Sequence, residues 1–213
     1  MNRIDACLFL LLLKVQEPPT GCLPELQEKS PCMQDAMKIL ISDEGVLLCM
    51  DLFILRHGKA EKSSDGTADA ARALTRDGKD EIKKVARLMK VNKFRFDAIA
   101  TSPLKRAYGT AKIIAKVLGQ KERLTVWDEL APGGDLDTVC YNASNYGEHA
   151  TVLIVGHEPA CSLLISKITG GDGNGSLFLA KAGLAKIQNY SFIKRPSGDL
   201  QWILPPKHMA DMR

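Results

Sequence analysis

No Cys-x-x-Cys pair, no block of like charge and no apolar run long enough to cross a bilayer occurs in this chain of 213 residues. Each absence removes a class of function. The six cysteines are Cys7, Cys22, Cys32, Cys49, Cys140 and Cys161, and only the last two fall where the chain is patterned like a folded domain. That is neither a zinc-ligand pattern nor a dense disulfide framework. Reduced thiols, a cytoplasmic setting, no metal and no cofactor are therefore expected. A formal charge of +4 with scattered lysines and arginines is too mild to call for nucleic acid. Aromatics are only 6% of the chain, so Trp127 and Trp202 read as core or strand-face residues, not a stacking platform. The glycine-rich run Gly170–Gly175 lacks the Lys-Ser/Thr of a P-loop and reads as a turn. The eight-residue apolar run Ala6–Leu13 is too short for a membrane helix. Asp5 before it, Lys14 after it and the lack of an A-x-A-like cleavage site argue against an export signal.

What is present is an ordinary globular composition, 45% apolar and 25% charged, enough to bury a real core. It is unevenly spread. Residues 1–49 hold four Lys/Arg against seven Asp/Glu, so the positive excess lies wholly after them. Such an excess favours anionic substrates through long-range steering, although solvated surface lysines explain it more simply. Residues 1–49 read as a poorly structured extension or the product of an upstream start, since Met50 stands directly before the first strand pattern. Residues 50–205 read as one domain and 206–213 as a tail.

From Met50 onward, strand and helix patterns alternate. Strand 50–56 leads through a polar loop, Ala60 to Ala71, to a helix over 76–90 capped by Thr75. Ile82, Val85, Ala86 and Met89 give that helix one apolar face. Strand 97–101 precedes a helix capped by Ser102 with Pro103 at its first position, stopped at Gly119. Further strands are expected at 124–127, 151–156, 184–192 and 199–204, with helices from Asp135 and over 159–169. This order predicts a three-layer α/β/α sandwich around a mostly parallel sheet.

Two of the strands stop on histidine. Leu52-Phe53-Ile54-Leu55 runs into Arg56-His57-Gly58, and Val152-Leu153-Ile154-Val155 into Gly156-His157-Glu158-Pro159. Ligands of parallel sheets bind beyond the carboxyl ends of the strands. A third segment, Ser102-Pro103-Leu104-Lys105-Arg106-Ala107, follows strand 97–101 and places Arg106 about one turn into the next helix. Two imidazoles and two guanidiniums gathered at one sheet edge form a site for phosphate. His149 and His208 read as surface residues. Ser102 lacks the G-x-S-x-G setting of a nucleophile and reads as a cap.

These segments, in this order, resemble the signatures of the histidine phosphatase superfamily, whose fold is phosphoglycerate mutase-like. Asp128-Glu129-Leu130-Ala131-Pro132-Gly133-Gly134-Asp135 is similar to a stretch of its SixA-type phosphohistidine phosphatases. The resemblance spans about residues 50–205 and implies a covalent mechanism. His57 would be the nucleophile, with Arg56, Arg106 and His157 binding the phosphoryl oxygens. Glu129 would be the leaving-group acid, with Asp135 second to it because it also reads as a helix cap. Glu158 reads as the start of the next helix. Lys59-Ala60-Glu61 departs from the Ser or Thr that mutase-like members carry after Arg-His-Gly. Only 28 positions separate Glu129 from His157, too few for a large cap insertion. An open site of that kind suits protein phosphohistidine. A small phosphomonoester is the alternative substrate, and a non-catalytic phosphate binder a third reading. No nucleic-acid or membrane partner is expected.

Overall fold

A computed structural model describes residues 50–62, 69–170 and 177–209. The expected extension 1–49, the run Gly171–Gly175 and part of the loop Ala60–Ala71 lie outside the described residues. The elements, in order, are β1 (Met50–Arg56), α1 (Arg76–Val91), β2 (Ala98–Thr101), α2 (Lys105–Leu118), β3 (Leu124–Val126) and α3 (Leu136–Ser144). They continue with β4 (Thr151–Gly156), α4 (Ala160–Ile168), β5 (Leu184–Phe192), β6 (Pro196–Leu204) and α5 (Pro206–Met209). One six-stranded sheet results, in the order β3-β2-β4-β1-β5-β6. The first four strands in that order are parallel, β5 pairs antiparallel to β1, and β6 pairs antiparallel to β5.

The apolar runs are continuous because the parallel strands are covered on both faces. Leu52 and Ile54 of β1 join Val152 and Ile154 in a core with residues of α3 and α4. Phe53 and Leu55 point the other way, with Leu153 and Val155, into a core with α1 and α2. Period-two alternation thus splits each strand between two cores, which gives the expected three layers. Trp127 is buried, and Trp202 packs edge-on against Phe53 at 5.9 Å, as core and strand-face residues should.

Local signals account for most boundaries. Thr75 caps α1 by accepting from the Gly78 N–H, and Ile82, Val85, Ala86 and Met89 are its buried face. Gly119 ends α2 in the left-handed region, at φ 73°. Asp135 caps α3, accepting from the N–H groups of Asp137 and Thr138. The start of α2 differs from expectation. The helix begins at Lys105, with Leu104 as a cap that offers no side-chain bond. Ser102 instead continues the sheet, donating its N–H to the Val155 carbonyl at 3.1 Å. Its hydroxyl still serves the turn, Oγ accepting from the Leu104 N–H at 3.4 Å, so the backbone pairs with β4 while the side chain braces the approach to the helix. The packed chain also runs past 205, because Met209 of α5 is buried in the α1/α2 core.

Candidate active site

The register of the sheet explains why the histidines meet. In the β1–β4 pairing, Arg56 lies opposite Gly156, and the His57 N–H extends the ladder to the Gly156 carbonyl at 3.0 Å. His57 and His157 each follow their strand by one residue, so their rings stand 5.0 Å apart between centroids. On the other side of β4, β2 ends in register and delivers Ser102 and then α2 with Arg106. Three neighbouring parallel strands therefore bring together four residues from three distant parts of the chain.

His57 is buried, at 7% exposure. Its Nδ1 lies 2.8 Å from the Gly58 carbonyl oxygen. A carbonyl only accepts, so Nδ1 carries the hydrogen and Nε2 keeps its lone pair. Burial, then the charges of Arg106, Arg56 and Lys181, pull the imidazole pKa down to about 4, against the opposing Gly58 hydrogen bond. At neutral pH His57 is a neutral ring whose Nε2 carries the lone pair and has no hydrogen-bond partner among the described residues. The loop carrying it is clamped: the Lys59 carbonyl accepts from the Thr75 N–H at 3.0 Å, and the Gly58 N–H donates to Thr110 Oγ1 at 3.2 Å. Glycine is required at 78, where a Cβ would come within 2.1 Å of the Lys59 oxygen.

His157 is still more buried, at 3%. Burial, then His57, Arg106 and Arg56, push its pKa to about 3, with Asp69 opposing. Its Nε2 is 2.9 Å from Ser102 Oγ, while its Nδ1 is buried with no hydrogen-bond partner among the described residues. The Arg56 Nε is orphaned in the same way. Arg56 is held by one donation from its Nη1 to the Leu179 carbonyl at 2.9 Å, and it lies 5.1 Å from the centre of the Phe178 ring. Arg106, at 5% exposure, donates to the Asp69 carbonyl at 2.7 Å and to its carboxylate at 2.8 Å. The bond from Arg106 to the carboxylate, then one from Arg72, holds the exposed Asp69 carboxyl below its usual range. Two of the five guanidinium donors of Arg106 are thereby used.

Glu129 stands on the short turn Asp128–Leu130 after β3, half-buried, with no side-chain hydrogen bond among the described residues. Asp135 is the exposed cap of α3. Glu158 does more than begin a helix. Its carboxylate accepts from Ser162 Oγ at 2.8 Å and from the Leu179 N–H at 3.0 Å, bracing the segment whose carbonyl holds Arg56. Three contributions were not legible beforehand: Asp69 on Arg106, Ser102 on His157 and Glu158 on Leu179. Only Ser102 had a signal, its place directly after a strand. A cleft of about 360 Å³ lies against the Glu158 brace, lined by Glu158, Pro159, Ser162, Leu163, Ser166, Leu177 and Phe178, and neither histidine lines it. Among the described residues no group of three His, Cys, Asp or Glu is gathered as a metal site would need.

The model of the histidine phosphatase superfamily (branch 1) matches residues 52–132. The chain belongs to the histidine phosphatase superfamily. This histidine phosphatase is 29% identical over 160 residues to the phosphohistidine phosphatase SixA of Escherichia coli (strain K12), covering 74% of this chain and 94% of that one. It is 33% identical over 143 residues to an uncharacterized protein of Picosynechococcus sp., covering 66% and 86%. A solved structure of the protein histidine phosphatase SixA complexed with tungstate superposes with a TM-score of 0.65 at 26% identity, over 75% of this chain and 99% of that one. A phosphoserine phosphatase from Entamoeba histolytica, at 20% identity and a TM-score of 0.55, shares the fold. The mixed α/β fold is thus the phosphoglycerate mutase-like one.

Proposed function

We propose that this chain is a phosphatase that hydrolyses protein phosphohistidine through a covalent phosphohistidine on His57. The carrying observation is the pair of orphaned buried groups, Arg56 Nε and His157 Nδ1, beside an imidazole whose Nε2 is free. If the Ser102 hydroxyl donates to His157 Nε2, then Nδ1 bears the hydrogen, and both orphans are donors. Leaving a buried donor unpaired costs about 1–3 kcal/mol. Oxygens of a phosphoryl group offset that cost, and Arg106 has donors to add.

In the first step Nε2 of His57 attacks phosphorus, forming an N–P bond as the bond to the leaving group breaks. Glu129 supplies the proton that the leaving group takes up. In the second step water attacks the phosphorus on His57 and gives a proton back to Glu129, the N–P bond breaks, and inorganic phosphate leaves with the imidazole and the acid both restored. Arg56, Arg106 and His157 hold the non-bridging oxygens through both steps. The relative named as phosphohistidine phosphatase SixA supports the substrate class. So does the brevity of the chain between Glu129 and His157, which holds α3 and connecting loops only. A phosphorylated side chain projecting from a folded protein can reach such a site. The buried free thiols Cys140 and Cys161 support a reducing, cytoplasmic setting.

The test is incubation with a radiolabelled phosphohistidine protein and, separately, with p-nitrophenyl phosphate. The protein substrate should turn over faster, and acid-labile label should accumulate on the enzyme but not on His57→Ala, while His149→Ala labels normally. Label that persists on His57→Ala removes the covalent mechanism. A preference for the small ester moves the substrate class to phosphomonoesters.

A further inference from the structure

Lys79 and Lys83 of α1, with Lys105, Lys112 and Lys116 of α2, rim a groove of about 330 Å³ whose floor includes Leu74 and Ile113. All five lysines are exposed. Their spacing is helical, i and i+4 on α1 and i, i+7 and i+11 on α2, so each set is a single stripe. Lys83 pairs with Asp80 at 2.8 Å, whereas Asp77 turns to Lys59 at 3.1 Å. The other four lysines have no carboxylate at ion-pair distance among the described residues. Nor does α2 carry its own counter-charge, since no Asp or Glu occurs from Ala98 to Lys121. Like charges at i, i+4 destabilise a helix. Lys112/Lys116 is such a pair with no counter-charge on its helix, and across the groove Lys79 faces it unpaired, while Lys83 is offset by Asp80. A partner bearing carboxylates would relieve the repulsion on α2 and pair with Lys79.

The shape narrows the partner. An apolar floor between two helices accepts an amphipathic helix laid apolar face down. The stripe from Lys105 to Lys116 extends about 16 Å at 1.5 Å per residue, three turns of such a helix. No aromatic side chain lines the groove for base stacking, and no arginine fork does so for phosphodiesters. The groove also starts beside the site, because Lys105 immediately precedes Arg106.

We propose that this lysine-rimmed groove docks an acidic amphipathic helix of the phosphorylated partner protein, presenting its phosphorylated side chain near Arg106. Naming the partner as substrate rests on the function proposed above, but binding of the acidic helix does not. The test uses the full chain and fluorescence anisotropy with three labelled probes: an amphipathic Glu/Leu peptide, its Gln/Leu counterpart and duplex DNA. The Glu/Leu peptide should bind, the Gln/Leu peptide at least about tenfold more weakly, with affinity falling as salt rises. Lys112→Glu/Lys116→Glu should abolish that preference while p-nitrophenyl phosphate turnover and Tm stay unchanged. If the reversed charges lower Tm, Lys112→Gln/Lys116→Gln serves in their place and should remove most of the preference. Equal binding of the two peptides, an unaltered preference in the variants, or tighter binding of DNA overturns the proposal. Peptide binding as described in a chain that does not hydrolyse phosphohistidine protein sinks the substrate reading and leaves the groove standing. Hydrolysis without peptide binding does the reverse.

Discussion

The parallel and antiparallel halves of the sheet meet at the same edge but contribute differently. β1, β2 and β4 all end there, and the residues just beyond them are His57, Ser102 with Arg106, and His157. β5 starts there instead, and the segment leading into it contributes backbone. The Leu179 carbonyl holds Arg56, the Arg56 N–H donates to the Gly183 carbonyl, and the Ala182 N–H reaches the carbonyls of Arg56 and His57. Parallel strands aim side chains at a common point because all their carboxyl ends coincide. An antiparallel neighbour has its amino end at that point and serves there as a brace. The side chains of the proposed chemistry and the backbone that supports them are thereby divided between the halves.

That division can be broken most directly at Arg106. Arg106→Lys keeps one charge but loses the fork, and kcat/KM should fall at least about tenfold, a loss of about 1.4 kcal/mol or more, with Tm little changed. Full activity would take Arg106 out of the proposed phosphate-binding set. Next comes pH. Both histidines titrate well below 6.5 in the folded chain, at about 4 and about 3. Between those values and 6.5 the unfolded chain binds more protons, so stability is complete above about 6.5 and declines as pH falls towards 4. Thermal melts over that range should show Tm falling with pH, less steeply in His157→Asn. The same protonation of His57 should bring kcat/KM down near pH 4.

A smaller effect is expected on the bracing side. Glu158→Ala leaves the Leu179 N–H short of its carboxylate, costing about 1–2 kcal/mol of stability. It should raise KM several-fold through a looser Arg56 while kcat changes less, and Glu158→Gln, which keeps an acceptor oxygen, should recover most of the loss. A defect as deep as that of Arg106→Lys would erase the distinction between the two halves. The smallest effect is none at all. Deleting residues 1–49 should leave kcat/KM unaltered, and an inactive soluble truncation would show that the extension takes part.

Where local chemistry decided the structure, the chain could be read directly. Thr75 and Asp135 cap the helices they precede, and Gly119 stops α2, because each acts on backbone within a few residues. Ser102 could not be read in this way. A serine before proline has a local use as a cap, yet its hydroxyl lies against His157, 55 positions away. Asp69 reaches Arg106 over 37 positions, and Leu179 reaches Arg56 over 123. No periodicity encodes such partners. The lysine groove is intermediate: each stripe is visible at helical spacing, but their facing depends on α1 packing beside α2.

Composition and pattern by themselves determined the alternation of elements, the two faces of each buried strand, and the four side chains that cluster at one edge. These follow from hydrophobic periodicity and backbone capping, which act over a few residues. Tertiary structure alone decided the tautomer of His57, the orphaned donors of Arg56 and His157, and the carboxylates that hold the site in place. Those depend on burial and on directional hydrogen bonds between segments that meet only once the sheet order β3-β2-β4-β1-β5-β6 has formed.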